Sequence, residues 1–295
     1  MKNLVMGFAT NIDEKSVRVF CTSARRVYGV AECDVVIITN KYQPYFLELN
    51  GIGVTFFETP NNYSKQTGRP SKILNRAILN SLRAMNGVPT LANMAPEISA
   101  SYRTLLETWH HPHFARWFGY HRFLTLNRQY GQVLLADVKD VVFQAPFFSA
   151  PGDAVSLFDQ DVIFGDANWD TKWYREAWGE AELKKVLGKS AVCIGTILGP
   201  NQHVLPLVGQ LCEYILRFPF GRIEQAVFNY MLQNELIEAP YRIVPNLETI
   251  GTLADENVHA RTITEDGLIK RAVDKSVIPV VHMYDRFADT MAAYQ

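Results

Sequence analysis

The first part of the chain alternates short apolar runs with an amphipathic stretch, a pattern typical of α/β proteins. Apolar runs at 4–8, 34–39 and 52–57 predict buried strands, and 14–28 predicts a helix between the first two. The β-branched residues of the second run favour a parallel strand that is covered on both faces. This order predicts a parallel sheet with right-handed crossovers.

The remainder of the chain continues the pattern less regularly. A polar loop at 59–70 precedes a predicted helix whose apolar positions share one face. Pro112 suits the first turn of a helix that we expect to run to Asn127, and 132–136 predicts a strand. Further strands are predicted near 154–158, 191–198 and 277–281, and helices near 172–187, 202–216 and 223–234. The sequence shows no internal repeat, which favours one continuous domain.

Composition narrows the classes of function. The formal net charge of -1, from 29 basic and 30 acidic side chains, gives no electrostatic reason to expect nucleic acid as a partner. None of the four cysteines forms a C-x-x-C pair, so we expect buried, reduced thiols. The apolar runs are too short for a signal peptide or a membrane span. We therefore expect a cytoplasmic protein, and peripheral contact with a membrane stays compatible with the sequence.

Two carboxylates stand where the fourth predicted strand ends. In VLLADVKDVVFQ, Asp137 and Asp140 follow the apolar run directly. Open α/β sheets bind ligands at the carboxyl ends of their strands, and carboxylates suit Mg²⁺ or Mn²⁺. Asp also closes tight turns by bonding to nearby backbone N–H groups. This motif alone therefore leaves a metal site and a structural turn open.

A second candidate ligand follows the last predicted strand. His282 comes directly after the apolar run IPVV, and a neutral imidazole is a good ligand for a divalent ion. A histidine at a strand end can equally be structural. Two strand ends with complementary ligand types are a more specific signal than either one. Arg286, one helical turn later, has the chemistry to bind a phosphate or to form a surface ion pair.

Several segments together resemble the GT-A nucleotide-sugar glycosyltransferases, in particular the glycogenin-like and bacterial lipopolysaccharide transferases. ADVKDVVFQAPF looks like the D-x-D region of that family, and GFATN is similar to its first-strand segment beside the nucleoside. GTILG, EQAVFNYML and VVHMYDR follow in the order of its later motifs, over nearly the whole chain. The resemblance implies an α/β fold with a Rossmann-like, mainly parallel mixed sheet, in which a nucleotide-sugar-binding half (about 1–140) precedes an acceptor-binding half (about 141–295).

The resemblance also implies the substrates and the metal ligands. The donor would be a nucleotide-diphosphate sugar such as a UDP-sugar, with Mn²⁺ or Mg²⁺ as the metal. Asp137 matches the first acid of the D-x-D motif, and His282 matches a late metal-binding histidine. Lys139 stands where the second acid belongs. Either Asp140 takes that role, or Asp137 and His282 bind without it.

Further residues follow from the same resemblance. Arg116 matches an arginine that steadies the acidic motif and the donor, while Ala9 and Thr10 match positions that contact the nucleoside. Glu224 and Gln225 stand where related enzymes carry Asp-Gln, which implies a contact with the acceptor or the donor sugar. Without the resemblance, Glu224 would be an ordinary first-turn residue of a helix.

The segment FDQDVIFGDANWDTKWYREAW is rich in acids and tryptophans. Asp159 is, with Glu224, a candidate base for an inverting reaction. The tryptophans offer flat faces on which sugars stack, and Trp173 is the first candidate for an acceptor platform. They can equally be anchors of the core.

These observations predict a metal-dependent hexosyltransferase that passes a sugar to a glycan or another hydroxyl acceptor. Two alternatives stay open. A sugar-phosphate nucleotidyltransferase shares the sheet and the strand-end acid, but its Gly-rich loop is missing from ATNIDEKSVR. A non-catalytic carbohydrate-binding protein with a transferase fold would explain Lys139. A dinucleotide fingerprint and a P-loop are both missing from the sequence.

Overall fold

The computed structural model describes residues 1–63, 96–148, 152–165, 167–217 and 224–294. The helix predicted after residue 70 lies outside these ranges. The strands are β1 (Asn3–Phe8), β2 (Cys33–Thr39), β3 (Val54–Glu58), β4 (Gln132–Ala136), β5 (Val141–Phe143), β6 (Val155–Ile163), β7 (Ser190–Pro200), β8 (Tyr241–Val244), β9 (Ile250–Thr252), β10 (Thr262–Glu265), β11 (Leu268–Arg271) and β12 (Val280–His282). The helices are α1 (Glu14–Val27), α2 (Phe46–Gly51), α3 (Pro96–Trp109), α4 (Pro112–Leu126), α5 (Trp169–Lys184), α6 (Asn201–Arg217), α7 (Glu224–Gln233), α8 (Glu256–His259) and α9 (Ala288–Ala292).

The main sheet has the strand order β3-β2-β1-β4-β7-β6-β8. The first four of these strands are parallel, β7 runs antiparallel to both of its neighbours, and β8 is parallel to β6. The prediction of an α/β fold with a mainly parallel mixed sheet flanked by helices is therefore confirmed. Each strand that the sequence predicted is present, with bounds that differ by a few residues.

Helices cover both faces of this sheet because the buried strands carry apolar side chains in both directions. Leu4 and Met6 of β1 pack with Phe114 and Trp117 of α4 in one core cluster. Val5, between them, packs on the opposite face with residues of α1. The amphipathic α1 begins at Asp13, whose side chain accepts a hydrogen bond from the N–H of Ser16. Among the described residues, no helix has the length and apolar character needed to cross a membrane.

A second, three-stranded sheet brings the end of the chain to the main sheet. β12 lies between β5, to which it is antiparallel, and β9, to which it is parallel. In this register His282 pairs with Val141 and with Thr252. Since β5 follows β4 after a four-residue turn, the last residue of β12 comes to lie beside that turn.

Candidate functional site

A cavity of about 640 Å³ opens at the carboxyl ends of β1 and β4, where open α/β sheets bind ligands. The turn after β4, the first turn of α4 and the start of α7 form much of its wall. Further parts of the wall come from β6, β7, the end of β12 and the beginning of α5. Many of the residues discussed in the sequence analysis line this cavity: Thr10, Arg116, Asp137, Lys139, Asp140, Trp169, Asp170, Trp173, Glu224, Gln225, His282 and Arg286.

Asp137, Asp140 and His282 come together in this cavity, with one ligand atom of each lying within 4.8 Å of the others. His282 Nε2 is 3.5 Å from Asp140 Oδ1 and 3.8 Å from Asp137 Oδ2. Asp140 Oδ1 and His282 Nε2 are buried and have no hydrogen-bond partner among the described residues. Buried polar atoms of this kind are costly unless a ligand satisfies them. Two carboxylates and an imidazole therefore fit Mn²⁺ or Mg²⁺.

The second sheet fixes the orientation of the imidazole. His282 is 1% exposed, and its Nδ1 lies 3.5 Å from both Thr252 Oγ1 and Cys193 Sγ. Burial lowers the pKa of His282, so the ring is neutral near pH 7. A neutral imidazole is the state that binds a metal ion.

Arg116 connects this cluster to α7. Its guanidinium is 7% exposed and donates from one nitrogen to Asp137 Oδ1 and from another to Glu224 Oε1. A planar guanidinium that bridges two carboxylates holds both in fixed positions. The structure thus brings Arg116 to the acidic turn, where the resemblance expected it.

Glu224 is 2% exposed and stays ionised in this arrangement. Burial is the largest single effect on its carboxyl and raises the pKa, but the charge of Arg116 and the charge and hydrogen bonding of nearby His113 together outweigh it. The pKa is lowered to about 2. A carboxylate of such low pKa is a weak base, so Glu224 orients Arg116 instead of accepting a proton.

His113 is a part of the site that sequence reasoning missed. Its Nδ1 lies 3.5 Å from Glu224 Oε2, and its ring lines the cavity. The available signal was its position three residues before Arg116, because residues three apart share one face of a helix.

Gln225 and Asp170 form a second polar group in the cavity wall. Gln225 Nε2 donates to Asp170 Oδ1, and Gln160 Nε2 donates to Asp170 Oδ2 at 3.0 Å. Asp170 is 8% exposed, and burial raises its pKa. Gln225 also accepts a hydrogen bond from the N–H of Ile194 at 3.4 Å, which ties α7 to β7.

Two of the candidate residues, Asp159 and Ala9, are not among the described residues that line the cavity. Both oxygens of Asp159 accept from Ser190 Oγ at 2.8 Å, and Oδ1 also accepts from the N–H of Asp161. Its carboxylate therefore joins β6 to β7. Ala9 is 8% exposed and packs in the core, where its N–H donates to Ile38. Its neighbour Thr10 faces the cavity instead.

Lys139 stands apart from the cluster of Asp137, Asp140 and His282, the metal-type cluster. Its side chain is 60% exposed, and Nζ lies 3.6 Å from Asp285 Oδ2 at the cavity rim. Arg286, 53% exposed, lies at the same rim. The geometry thus favours Asp140 as the second acid, and not Lys139, which occupies the third position of the D-x-D motif. Lys139 and Arg286 then lie beside the cluster as two cations.

Gly195 is expected to tolerate no side chain. An added Cβ would lie 2.3 Å from His282 Cε1, 2.6 Å from His282 Nε2 and 3.1 Å from Asp137 Oδ2. We expect Gly195→Ala to displace the imidazole and to remove any stabilisation of the protein by Mn²⁺. Thermal unfolding with and without the ion measures this. Gly51→Ala is the matched control, since nothing lies within 4 Å of its added Cβ. An unchanged response to Mn²⁺ in Gly195→Ala would contradict the assignment.

No protein family and no curated protein matches the sequence. Solved structures similar to this chain include the glycosyltransferase GlyE of Streptococcus pneumoniae TIGR4, at 12% identity and a TM-score of 0.42, covering 83% of this chain but 45% of that chain. A glycosyltransferase involved in the glycosylation of the major capsid of PBCV-1 is 10% identical, with a TM-score of 0.45 over 99% of this chain and 98% of that one.

The galactosyltransferase LgtC, solved in complex with donor and acceptor sugar analogues, is 11% identical. The match has a TM-score of 0.47 and covers 95% of this chain and 86% of that chain. The chain thus spans less than half of the GlyE chain and most of the other two. The function proposed below rests on the geometry of the cavity in this chain.

Proposed function

We propose that this chain is a metal-dependent glycosyltransferase that moves a sugar from a nucleotide-diphosphate sugar, such as a UDP-sugar, to a hydroxyl of a glycan or another acceptor. The observation that carries the proposal is the cluster of Asp137, Asp140 and His282 at the strand ends, in which Asp140 Oδ1 and His282 Nε2 are buried without a hydrogen-bond partner among the described residues. These residues would hold Mn²⁺ or Mg²⁺. When bound, the ion would neutralise charge on the leaving nucleotide diphosphate.

The rest of the cavity supplies contacts for a nucleotide diphosphate. Thr10 Oγ1 is buried without a hydrogen-bond partner among the described residues and lines the cavity. We assign it to a hydrogen bond with the nucleoside. Lys139 and Arg286 at the rim balance phosphate charge, and Arg286 offers a bidentate contact. Arg116 keeps Asp137 in place and does not itself need to reach the donor.

The acceptor hydroxyl would be oriented by the wall that carries Gln225 and Asp170. Neither acid that the sequence put forward as a base is free for that role, because Glu224 is paired with Arg116 and Asp159 with Ser190. In this proposal residues up to about 140 hold the nucleotide and later residues the acceptor. His282 and Arg286, late in the chain, join the nucleotide side.

Thermal unfolding against a panel of nucleoside diphosphates, each with and without Mn²⁺, tests the proposal. A ligand that binds only the folded state adds roughly 2.7 kcal/mol of stability at about 100 times its dissociation constant. We expect one nucleoside diphosphate to stabilise the protein, and to do so mainly when the ion is present. Nucleoside monophosphates serve as the control, because they lack the second phosphate.

Two results would count against this function. A panel without any metal-dependent shift would favour the non-catalytic alternative. Consumption of a nucleoside triphosphate with release of pyrophosphate, in the presence of a sugar phosphate, would identify a nucleotidyltransferase instead.

A further inference from the structure

Two tryptophans at the beginning of α5 form an exposed aromatic surface on the cavity wall. The rings of Trp169 and Trp173 are stacked, with centroids 5.9 Å apart and an angle of 28° between their planes. Both line the cavity, and Trp169 is 62% exposed. Trp173 is partly buried, so the pair presents one exposed and one partly covered ring in a concave site, which indicates a ligand that needs flat apolar faces.

The third tryptophan of this helix shows what a core anchor looks like here. Trp178 donates from Nε1 to the carbonyl of Ala226 at 3.0 Å and stacks on Tyr230 with a centroid distance of 3.9 Å. The sequence left core anchoring and sugar stacking open for the tryptophans of this helix. The structure separates Trp178, which is packed, from Trp169 and Trp173, which face the cavity.

A buried carboxylate accompanies the aromatic pair. Asp170 lies between the two tryptophans in sequence and lines the same cavity. Its two oxygens each accept one amide hydrogen, from Gln225 and Gln160, and a carboxylate oxygen has capacity for a second hydrogen bond. Gln160 and Gln225 also line the cavity. Planar polar groups of this kind can form hydrogen bonds with the hydroxyl groups at the edge of a sugar ring. The aromatic rings beside them can pack against its C–H faces.

The aromatic surface continues out of the cavity into a shallower groove. Asn168 and Trp169 line both the cavity and this groove, which goes on along Thr171, Lys172 and Arg175. Lys172 Nζ lies 4.8 Å from the centre of the Trp169 ring. A ligand held on Trp169 therefore has room on both sides of the ring, which a single sugar would not fill.

We infer that Trp169, Trp173 and Asp170 form the acceptor subsite, and that the acceptor is a saccharide of at least two rings. Its reacting end enters the cavity, and its next ring lies over Trp169 towards the groove. The inference rests on the proposed function, because it takes the metal-type cluster as the donor end. Trp169 suits the acceptor since it is the large aromatic of the cavity wall most open to solvent.

Saturation-transfer difference NMR on the whole protein tests this without knowledge of the natural acceptor. The probes are lactose, maltose, cellobiose and diacetylchitobiose, together with their monosaccharides, each with and without UDP and diamagnetic Mg²⁺. We expect at least one disaccharide to receive saturation more strongly than its monosaccharides. Trp169→Ala should weaken its binding by about tenfold, the size of a lost aromatic contact.

Controls separate a subsite from general damage to the protein. Tyr42→Ala removes another exposed aromatic ring, 57% exposed and outside the cavity wall, and should leave saccharide binding unchanged. Trp169→Phe should retain part of the binding, because a flat ring remains. Trp173→Ala, which removes the other ring of the pair, should also weaken disaccharide binding. Stabilisation by UDP with Mn²⁺ should persist in all four variants.

The outcomes are distinguishable from failure of the proposed function. If no saccharide binds the wild type, or if binding is undiminished in Trp169→Ala and Trp173→Ala, the acceptor subsite is wrong even where the nucleotide still binds. If no nucleotide binds the wild type, the proposed function fails. Disaccharide binding that is lost in both tryptophan variants would then still support a saccharide subsite.

Discussion

Asp137→Asn is expected to reduce sugar transfer about a thousand-fold, the loss of a few kcal/mol of charge stabilisation from the metal site. One oxygen of Asp137 faces His282, and the other is bonded to Arg116. An amide of the same shape removes the negative charge without opening a cavity. The measurement is release of the nucleoside diphosphate from sugar donors that carry the nucleoside identified by thermal unfolding, with circular dichroism to verify that the variant is folded.

Asp159→Asn is the matched control for this variant. It changes the same functional group at a residue that is bonded to Ser190 and does not line the cavity. We expect its transfer rate to stay within a few-fold of the wild type. Transfer by Asp137→Asn at the wild-type rate in the presence of a chelator would refute the metal-dependent mechanism.

Glu224→Gln should lower the free energy of unfolding by about 3 kcal/mol at neutral pH, because it removes a buried carboxylate whose pKa is depressed to about 2. A depressed pKa contributes stability that is fully present above the unfolded value, near 4.5, and is lost as the pH falls through the folded value. The wild type and the variant should therefore differ most above about pH 5 and converge towards pH 2. Urea unfolding across this range measures the difference.

Arg116→Leu provides the companion experiment. It leaves the carboxylate of Glu224 buried without its cation, which typically costs about 3–5 kcal/mol. The double variant with Glu224→Gln should recover part of that loss, since it removes the unpaired charge. A difference between wild type and Glu224→Gln that stays constant from pH 7 to pH 2 would show that Arg116 does not hold Glu224 ionised.

Much of the main sheet could be predicted because its strands are long apolar runs with helices between them. β5 and β9 have three residues each, too few for periodicity to identify, and they pair with the predicted β12 in the sheet that carries His282. The sequence could not show that β7 is antiparallel to its neighbours, because a strand buried on both faces has the same composition in either direction. The hairpin of β10 and β11 had a usable signal: Asp266-Gly267, with φ of 56° and 72°, is the dipeptide that a tight hairpin turn requires.

The convergence of Asp137, Asp140 and His282 was predictable because each stands at or just after a strand end, and strand ends meet at one edge. The different surroundings of Ala9 and Thr10 have a simple cause. Successive side chains of an extended chain point to opposite sides, so Thr10 faces the cavity while Ala9 faces the core. The hydrogen bond between Asp159 and Ser190 could not be predicted, because the two residues are thirty-one positions apart and no local pattern reveals it.

Asp137 and Asp140 lie on the turn that leads from the main sheet to the second sheet, whereas His282 ends β12, and this has a consequence for how the protein matures. The strands β1, β2 and β3 pair with near neighbours in sequence, whereas β1 pairs with the distant β4, and His282 lies beside Asp137 only when β12 is paired with the equally distant β5. Contacts between distant segments form late, because closing a long loop is entropically costly. A chain with its main sheet complete but β12 undocked would therefore be inert. Under the proposed function, the chain would acquire activity only after β12 has paired with the second sheet.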